Sequence, residues 1–146
     1  MIRICTGLCA FLALVLTACA PLSPAPQSSQ AARIASAPGK AVIYIVRGRP
    51  DISDMPATLA LDDRVIGSTH AGTYFRLEVA PGRHRLAGYA SDNGAIALDV
   101  QADRVYFVQH TVAGNWREAS AQSFFELIDE ARARAAMAGS VEVGRV

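Results

Sequence analysis

Thr73-Tyr74-Phe75-Arg76-Leu77-Glu78-Val79 is the stretch that decides the fold. Thr73, Phe75, Leu77 and Val79 point one way and Tyr74, Arg76 and Glu78 the other, the period of two that marks a β-strand with one face on a core. Gly72 opens it. Ala80-Pro81-Gly82-Arg83 closes it with a type II turn signature, in which proline presets φ at the second position and glycine permits positive φ at the third. The chain after the turn alternates again. His84, Leu86 and Gly88 share one face, and Arg83, Arg85, Ala87 and Tyr89 share the other.

Short strands separated by turns continue in both directions. Downstream, Ser91-Asp92-Asn93-Gly94 turns the chain into Ile96, Leu98 and Val100, which alternate with Ala97 and Asp99. Ala102-Asp103-Arg104 turns it again into the largely apolar run Val105 to Val112, broken by Gly114-Asn115. Upstream, Thr58–Asp62 and Val65–Ser68 form a hairpin turning at Asp62-Asp63 or Asp63-Arg64, because aspartate tolerates positive φ. Arg47 to Pro56, with Gly48, Pro50, Asp51, Asp54 and Pro56, reads as a loop. Before it, Ala41-Val42-Ile43-Tyr44-Ile45-Val46 is continuously apolar, β-branched and aromatic, as expected of a strand buried on both faces.

Residues 117–128 permit a last strand with Phe125 and Leu127 on one face. Ser123-x-x-Glu126 is also compatible with a capping box. The preferred reading starts a short helix later, with Asp129 near the N-cap, an end at Ala138 and Gly139 as the C′ residue. Ile128, Ala131, Ala135 and Ala138 would then cover a sheet edge. The expectation is an all-β fold: a β-sandwich-like antiparallel domain of seven to eight short strands with a short C-terminal helix, over residues 39–139, followed by a flexible tail at 140–146.

The N-terminus is of a different kind. Met1-Ile2-Arg3 is a short positive segment, and Ile4 to Leu16 is apolar apart from Thr6 and Gly7. As a helix that run spans about 20 Å, short of the ~30 Å hydrocarbon core, which suits a signal peptide better than a permanent span. Leu16-Thr17-Ala18-Cys19 resembles a lipobox. Cleavage between Ala18 and Cys19 would follow lipidation of the Cys19 thiol, leaving a signal peptide at 1–18 and a lipid-bearing Cys19. Ala20, in place of an aspartate, points to the outer membrane on its periplasmic face. Residues 19–38 hold Pro21, Pro24, Pro26 and Pro38 among serine, glutamine and alanine, and read as a disordered tether spanning roughly 25 Å. The other two cysteines, Cys5 and Cys9, precede the cleavage point, so no disulfide or cysteine-ligated metal is expected in the domain.

The order of motifs resembles the family DUF2846 of bacterial lipoproteins. The matching pieces are Val42–Arg47, Ile66-Gly67, Gly72–Phe75, Pro81-Gly82-Arg83-His84 and Ala102–Val108, within residues 41–130. Asp103 stands where the family pattern has glycine. The resemblance implies a β-sandwich-like fold and an envelope location. It brings no activity and no catalytic residues.

The charges exclude some functions. The chain has 14 basic and 13 acidic residues, and Arg3 is the only charged one before Cys19, so the mature chain is balanced. That is no footprint for nucleic acid. Calcium-loop spacing, a P-loop, a dinucleotide fingerprint and a nucleophile motif are all lacking. His70, His84 and His110 are read as a turn-capping residue (His84) and two surface residues. The carboxylate pairs Asp51/Asp54 and Asp62/Asp63 are read as solvated turns. The candidate binding surface is a basic-aromatic stripe of Tyr74, Arg76, Arg83, Arg85 and Tyr89 on the outer face of adjacent strands, with Trp116 either a recognition aromatic or a partly buried core plug. The expectation is therefore a non-enzymatic, lipid-anchored envelope protein that binds or scaffolds an envelope protein, without cofactor or metal. The alternative is a module binding a glycan, a peptidoglycan fragment or a lipid.

Overall fold

The structure is a computed structural model describing residues 34–89, 92–115, 117 and 120–145. The strands among them are β1 (Ala41–Arg47), β2 (Ala57–Leu61), β3 (Arg64–Thr69), β4 (Thr73–Val79), β5 (Gly82–Gly88), β6 (Ala95–Val100), β7 (Val105–Asn115), β8 (Ser120–Ile128) and β9 (Val141–Arg145), with helix α1 (Glu130–Met137) between the last two. They form a five-stranded sheet, β8-β7-β1-β4-β9, packed on a four-stranded sheet, β3-β2-β5-β6.

β1 is central and buried along its whole length, for the reason its composition suggested. Ala41, Ile43 and Ile45 pack between the sheets with Phe75, Leu77, Leu86, Leu98 and Val108. Val42, Tyr44 and Val46 face the other way, into a second core with Tyr74, Phe107, Ala133 and Met137 under α1. The molecule is thus three layers: helix, five-stranded sheet, four-stranded sheet. The alternation read in Thr73–Val79 holds, with Phe75, Leu77 and Val79 in one core and Tyr74 in the other.

Three expectations are corrected. The domain is not purely antiparallel, since β1 pairs with β7, and β4 with β9, in parallel. Parallel pairing suits strands covered on both faces, which is how the run at Ala41–Val46 is placed. The strands on either side of Ala80-Pro81-Gly82 are not adjacent, and the segment is a corner between the sheets, because β4 pairs with β1 and β9 while β5 pairs with β2 and β6. Gly82 makes that corner at φ +134, where a side chain is strained. Residues 140–146, expected as a tail, contain β9, a five-residue strand whose glycine weakens its signal in the sequence.

Local chemistry sets the remaining ends. Asp62 and Asp63 both adopt positive φ at the β2–β3 turn, as the hairpin reading required. Asp103 does so too, at φ +60. It also ties the domain entrance down, accepting from the Gly39 N–H at 2.9 Å and donating its own N–H to Lys40 O at 2.8 Å. Ile34 and Ala37 pack in the core beneath α1, so the packed domain begins inside the expected tether. Asp129 caps α1 through the Arg132 N–H at 2.8 Å, and Gly139 follows at φ +78. The helix buries Ala133 and Met137, one turn apart, instead of Ala131, Ala135 and Ala138. Met137 has the reach to cover the Tyr44–Tyr74–Phe107 cluster that alanines would leave open.

Candidate functional site

The basic-aromatic stripe expected on adjacent strands is divided by the Pro81-Gly82 corner. Tyr74 and Arg76 lie on β4, on the helix side of the five-stranded sheet. Tyr74 is only 7 % exposed and donates its hydroxyl to Glu142 at 3.2 Å. Arg76 is half-buried and donates to Glu78 at 2.6 Å. Burial alone would lower the Arg76 pKa, but Glu78 and the Tyr44 hydroxyl outweigh it and raise it. Trp116 lies outside the described residues.

The other half of the stripe is together. Arg83, Arg85 and Tyr89 stand on the outer face of the four-stranded sheet, all exposed, Tyr89 at 54 %. Arg85, Tyr89, Asp63 and Asp92 rim an open depression of about 320 Å³ floored by Ala60, Ala87 and Gly88. A Cβ at Gly88 would collide with the Asp92 carboxylate, so a side chain there would displace Asp92. Arg85 reaches Asp63 at 3.4 Å.

The Asp62/Asp63 pair is a turn, but Asp62 is not simply solvated. It accepts from the Arg85 N–H at 2.9 Å and pairs with His84 Nδ1 at 2.6 Å, while His84 Nε2 lies 2.8 Å from Ala80 O. His84 therefore pins the β2–β3 turn to the inter-sheet corner, as its position after that corner suggested. Partial burial opposes its charge, yet Asp62 and the Ala80 carbonyl prevail and raise its pKa. His70 is exposed. Among the described residues, no three histidine, cysteine or carboxylate side chains gather as a metal site would require.

His110 overturns the surface reading, being 1 % exposed. Its ring stacks on Phe125 at 4.9 Å, Nδ1 lies 3.1 Å from Thr69 Oγ1, and Nε2 lies 2.8 Å from Ser123 Oγ. The network assigns the tautomer. Thr69 Oγ1 donates to Ala57 O at 3.3 Å, so it accepts from Nδ1–H, and Nε2 accepts the Ser123 hydroxyl proton. Burial first, then Arg47, push the His110 pKa down to about 4, against smaller opposing effects of Asp51 and Asp92.

Arg47 is the centre of this buried polar cluster, which the sequence reading missed. Its side chain is fully buried. Nε donates to Asp51, Nη1 to Met55 O at 2.8 Å and Thr69 O at 3.1 Å, and Nη2 to Ser53 O. Asp51, read as a solvated loop residue, has a side chain only 4 % exposed and accepts the Val112 N–H with both oxygens at 3.3 Å. Its partner Asp54 is exposed as expected. The available signal was a lone arginine ending an apolar strand, with an aspartate four residues on. A charge leaving a buried strand into a loop must find a counter-charge there.

A model of the family described as a protein of unknown function, DUF2846, matches residues 37–123. No curated protein and no solved structure matches the chain.

Proposed function

The chain belongs to the DUF2846 family, and from that premise we propose that the mature protein is a lipid-anchored cell-envelope protein, held at the outer membrane by Cys19, whose β-sandwich binds or scaffolds an envelope protein. The observation that carries the binding role is the inequality of the two outer faces. α1 covers that of the five-stranded sheet. That of the four-stranded sheet presents exposed Arg83, Arg85 and Tyr89 over a floor of small residues. Aromatic and arginine side chains are the types most often found at the energetic centres of protein interfaces. The anchor is supported by Leu16-Thr17-Ala18-Cys19 and the proline-rich segment behind it.

Both parts are tested in one strain set. Cys19→Ser should leave the membrane fraction. A photo-crosslinking residue at Tyr89 in the lipidated protein should give a discrete protein adduct that Arg85→Glu abolishes, while one at exposed Leu127 on β8 gives none. Unchanged fractionation of Cys19→Ser would overturn the anchor, and equal adducts from 89 and 127 would overturn the surface. The depression beside Tyr89 also suits a saccharide ring, which aromatic stacking and flanking polar groups would hold. Muropeptides that shift the Tyr89 resonances, with no protein adduct, would favour that second reading.

A further inference from the structure

His110 sits where the two sheets meet at one end of the sandwich. It lies on β7, Ser123 lies on the neighbouring β8, and Thr69 belongs to β3 in the other sheet. The Thr69–His110–Ser123 chain therefore bridges the layers, and its Ser123 link has its present direction only while the ring is neutral. Nδ1–H reaches across to Thr69, and the Nε2 lone pair holds the Ser123 hydroxyl. We propose that this bridge is an acid-sensitive latch: a proton on Nε2 takes away the acceptor of the Ser123 hydroxyl and sets a second cation beside buried Arg47, opening the end of the sandwich that contains Thr69, Ser123 and the 48–56 loop.

The surroundings make the charged ring costly. From β1, Arg47 presents a fully buried guanidinium; from the 48–56 loop, Asp51; from the segment before β6, Asp92; and from β8, only the Ser123 hydroxyl and the Phe125 ring. Both carboxylates are already engaged. Asp51 is held by Arg47 and the Val112 N–H, and Asp92 by the N–H groups of Ser123 and Gly94, each at 2.9 Å. A second cation in this buried space would face Arg47, and the attraction of Asp51 and Asp92 is too small to offset that repulsion together with the burial. Opening admits water and removes the conflict.

The direction follows from linkage. The opened ring titrates near 6.5 and the closed ring near 4. Between those values the open form binds more protons, so closure weakens as pH falls. The ratio of open to closed rises roughly 20-fold from pH 7 to pH 5, and levels off at about 240-fold well below pH 4. His84 acts with the opposite sign, because its pKa is raised, and it sits at the other end of the sandwich by Asp62 and Ala80.

The test is amide hydrogen exchange on the mature chain with Cys19→Ser, at pH 7 and pH 5, corrected for intrinsic exchange. Opening at Val112 and Ser123 should rise about 20-fold, while Tyr44 and Ile45 at the sheet centre hold their protection. His110→Gln keeps one donor and one acceptor without a titrating ring, and should flatten the response. Should that variant not fold, NMR titration of the wild-type imidazole decides alone, with an Nδ1–H tautomer and a pKa near 4 expected. A pH-independent Ser123 amide, a parallel loss at Tyr44, an unaltered response in His110→Gln, or a folded-state pKa near 6.5 would each overturn the latch.

Discussion

Replacing Arg47 by methionine isolates the cost of the buried charge pair. Methionine fits the stem of the side chain but donates nothing. Asp51 is left with the backbone N–H groups of Val112 and Ile52 and no counter-charge, at a side chain 4 % exposed. The carbonyls of Ser53, Met55 and Thr69 lose their donor together. Removing one partner of a buried ion pair costs about 3–5 kcal/mol. Each stranded carbonyl would add about 1–3 kcal/mol if it stayed dry. The 48–56 loop has no strand or helix of its own to keep it in place, so it is expected to swing out and rehydrate those carbonyls, holding the total near 3–5 kcal/mol. That is a large part of the ~5–15 kcal/mol typical of a domain. The double change Arg47→Met with Asp51→Asn removes both charges and keeps a side-chain oxygen for Val112, so it should cost less than the single one, about 1–3 kcal/mol. Urea unfolding of the Cys19→Ser chain at pH 7 measures both. A loss below about 1 kcal/mol in Arg47→Met, or a double variant as damaged as the single, would refute the reasoning.

Gly67 and Gly82 share φ +134, but a Cβ at Gly67 would lie 2.9 Å from Phe75 Cζ, whereas one at Gly82 meets nothing within 4 Å. Gly67→Ala should therefore cost about 1–3 kcal/mol more than Gly82→Ala by chemical denaturation, and equal losses would show that the Phe75 ring simply moves aside. At the other end, Asp62 has its pKa lowered, its burial being outweighed by the Arg85 N–H and His84. Its small, solvent-screened contribution is present above the ordinary value of 3.8 and lost as pH falls through the lowered one; that of His84 is present below 6.5 and lost as pH rises through its raised value. Asp62→Asn should bring the His84 titration down toward 6.5 by NMR, and an unmoved His84 would remove Asp62 as a cause.

What the sequence showed depended on whether a signal was local. Strand faces, the Asp62-Asp63 turn and the Asp129 cap rest on neighbours a few residues apart, and the structure has them where the pattern placed them. Partner strands are a different matter. Nothing within Ala80-Pro81-Gly82-Arg83 distinguishes a hairpin from a corner, because the same dihedral preferences serve both. That one ambiguity joined Tyr74 and Arg76 to Arg83, Arg85 and Tyr89 in a stripe whose two halves belong to different sheets. Burial of polar residues was hidden for a related reason. His110 sits in a strand pattern that any half-exposed histidine would fit, and only the pairing of β7 with β8 and the approach of β3 supply its two hydroxyls.

The buried cluster can be traced to a mismatch in strand length. β7 runs eleven residues and its partner β1 only seven. Past the pairing of Val46 with Gln109, the N–H of Val112 points to where β1 has already left the sheet. A buried donor there needs an acceptor, and Asp51 provides it by folding the 48–56 loop back over the gap. That puts a carboxylate in the interior, which requires a cation, and Arg47 is the residue at which β1 departs. On the far side of β7, Asp92 does the same for the open edge of β8 at the Ser123 N–H. His110 lies between these two repairs and stays neutral because its burial and Arg47 outweigh the pull of Asp51 and Asp92. Asp92 also forms part of the rim of the depression beside Tyr89. The exposed face of the four-stranded sheet and the buried polar cluster thus share one residue, Asp92, which holds the Ser123 N–H on one side and borders the depression on the other.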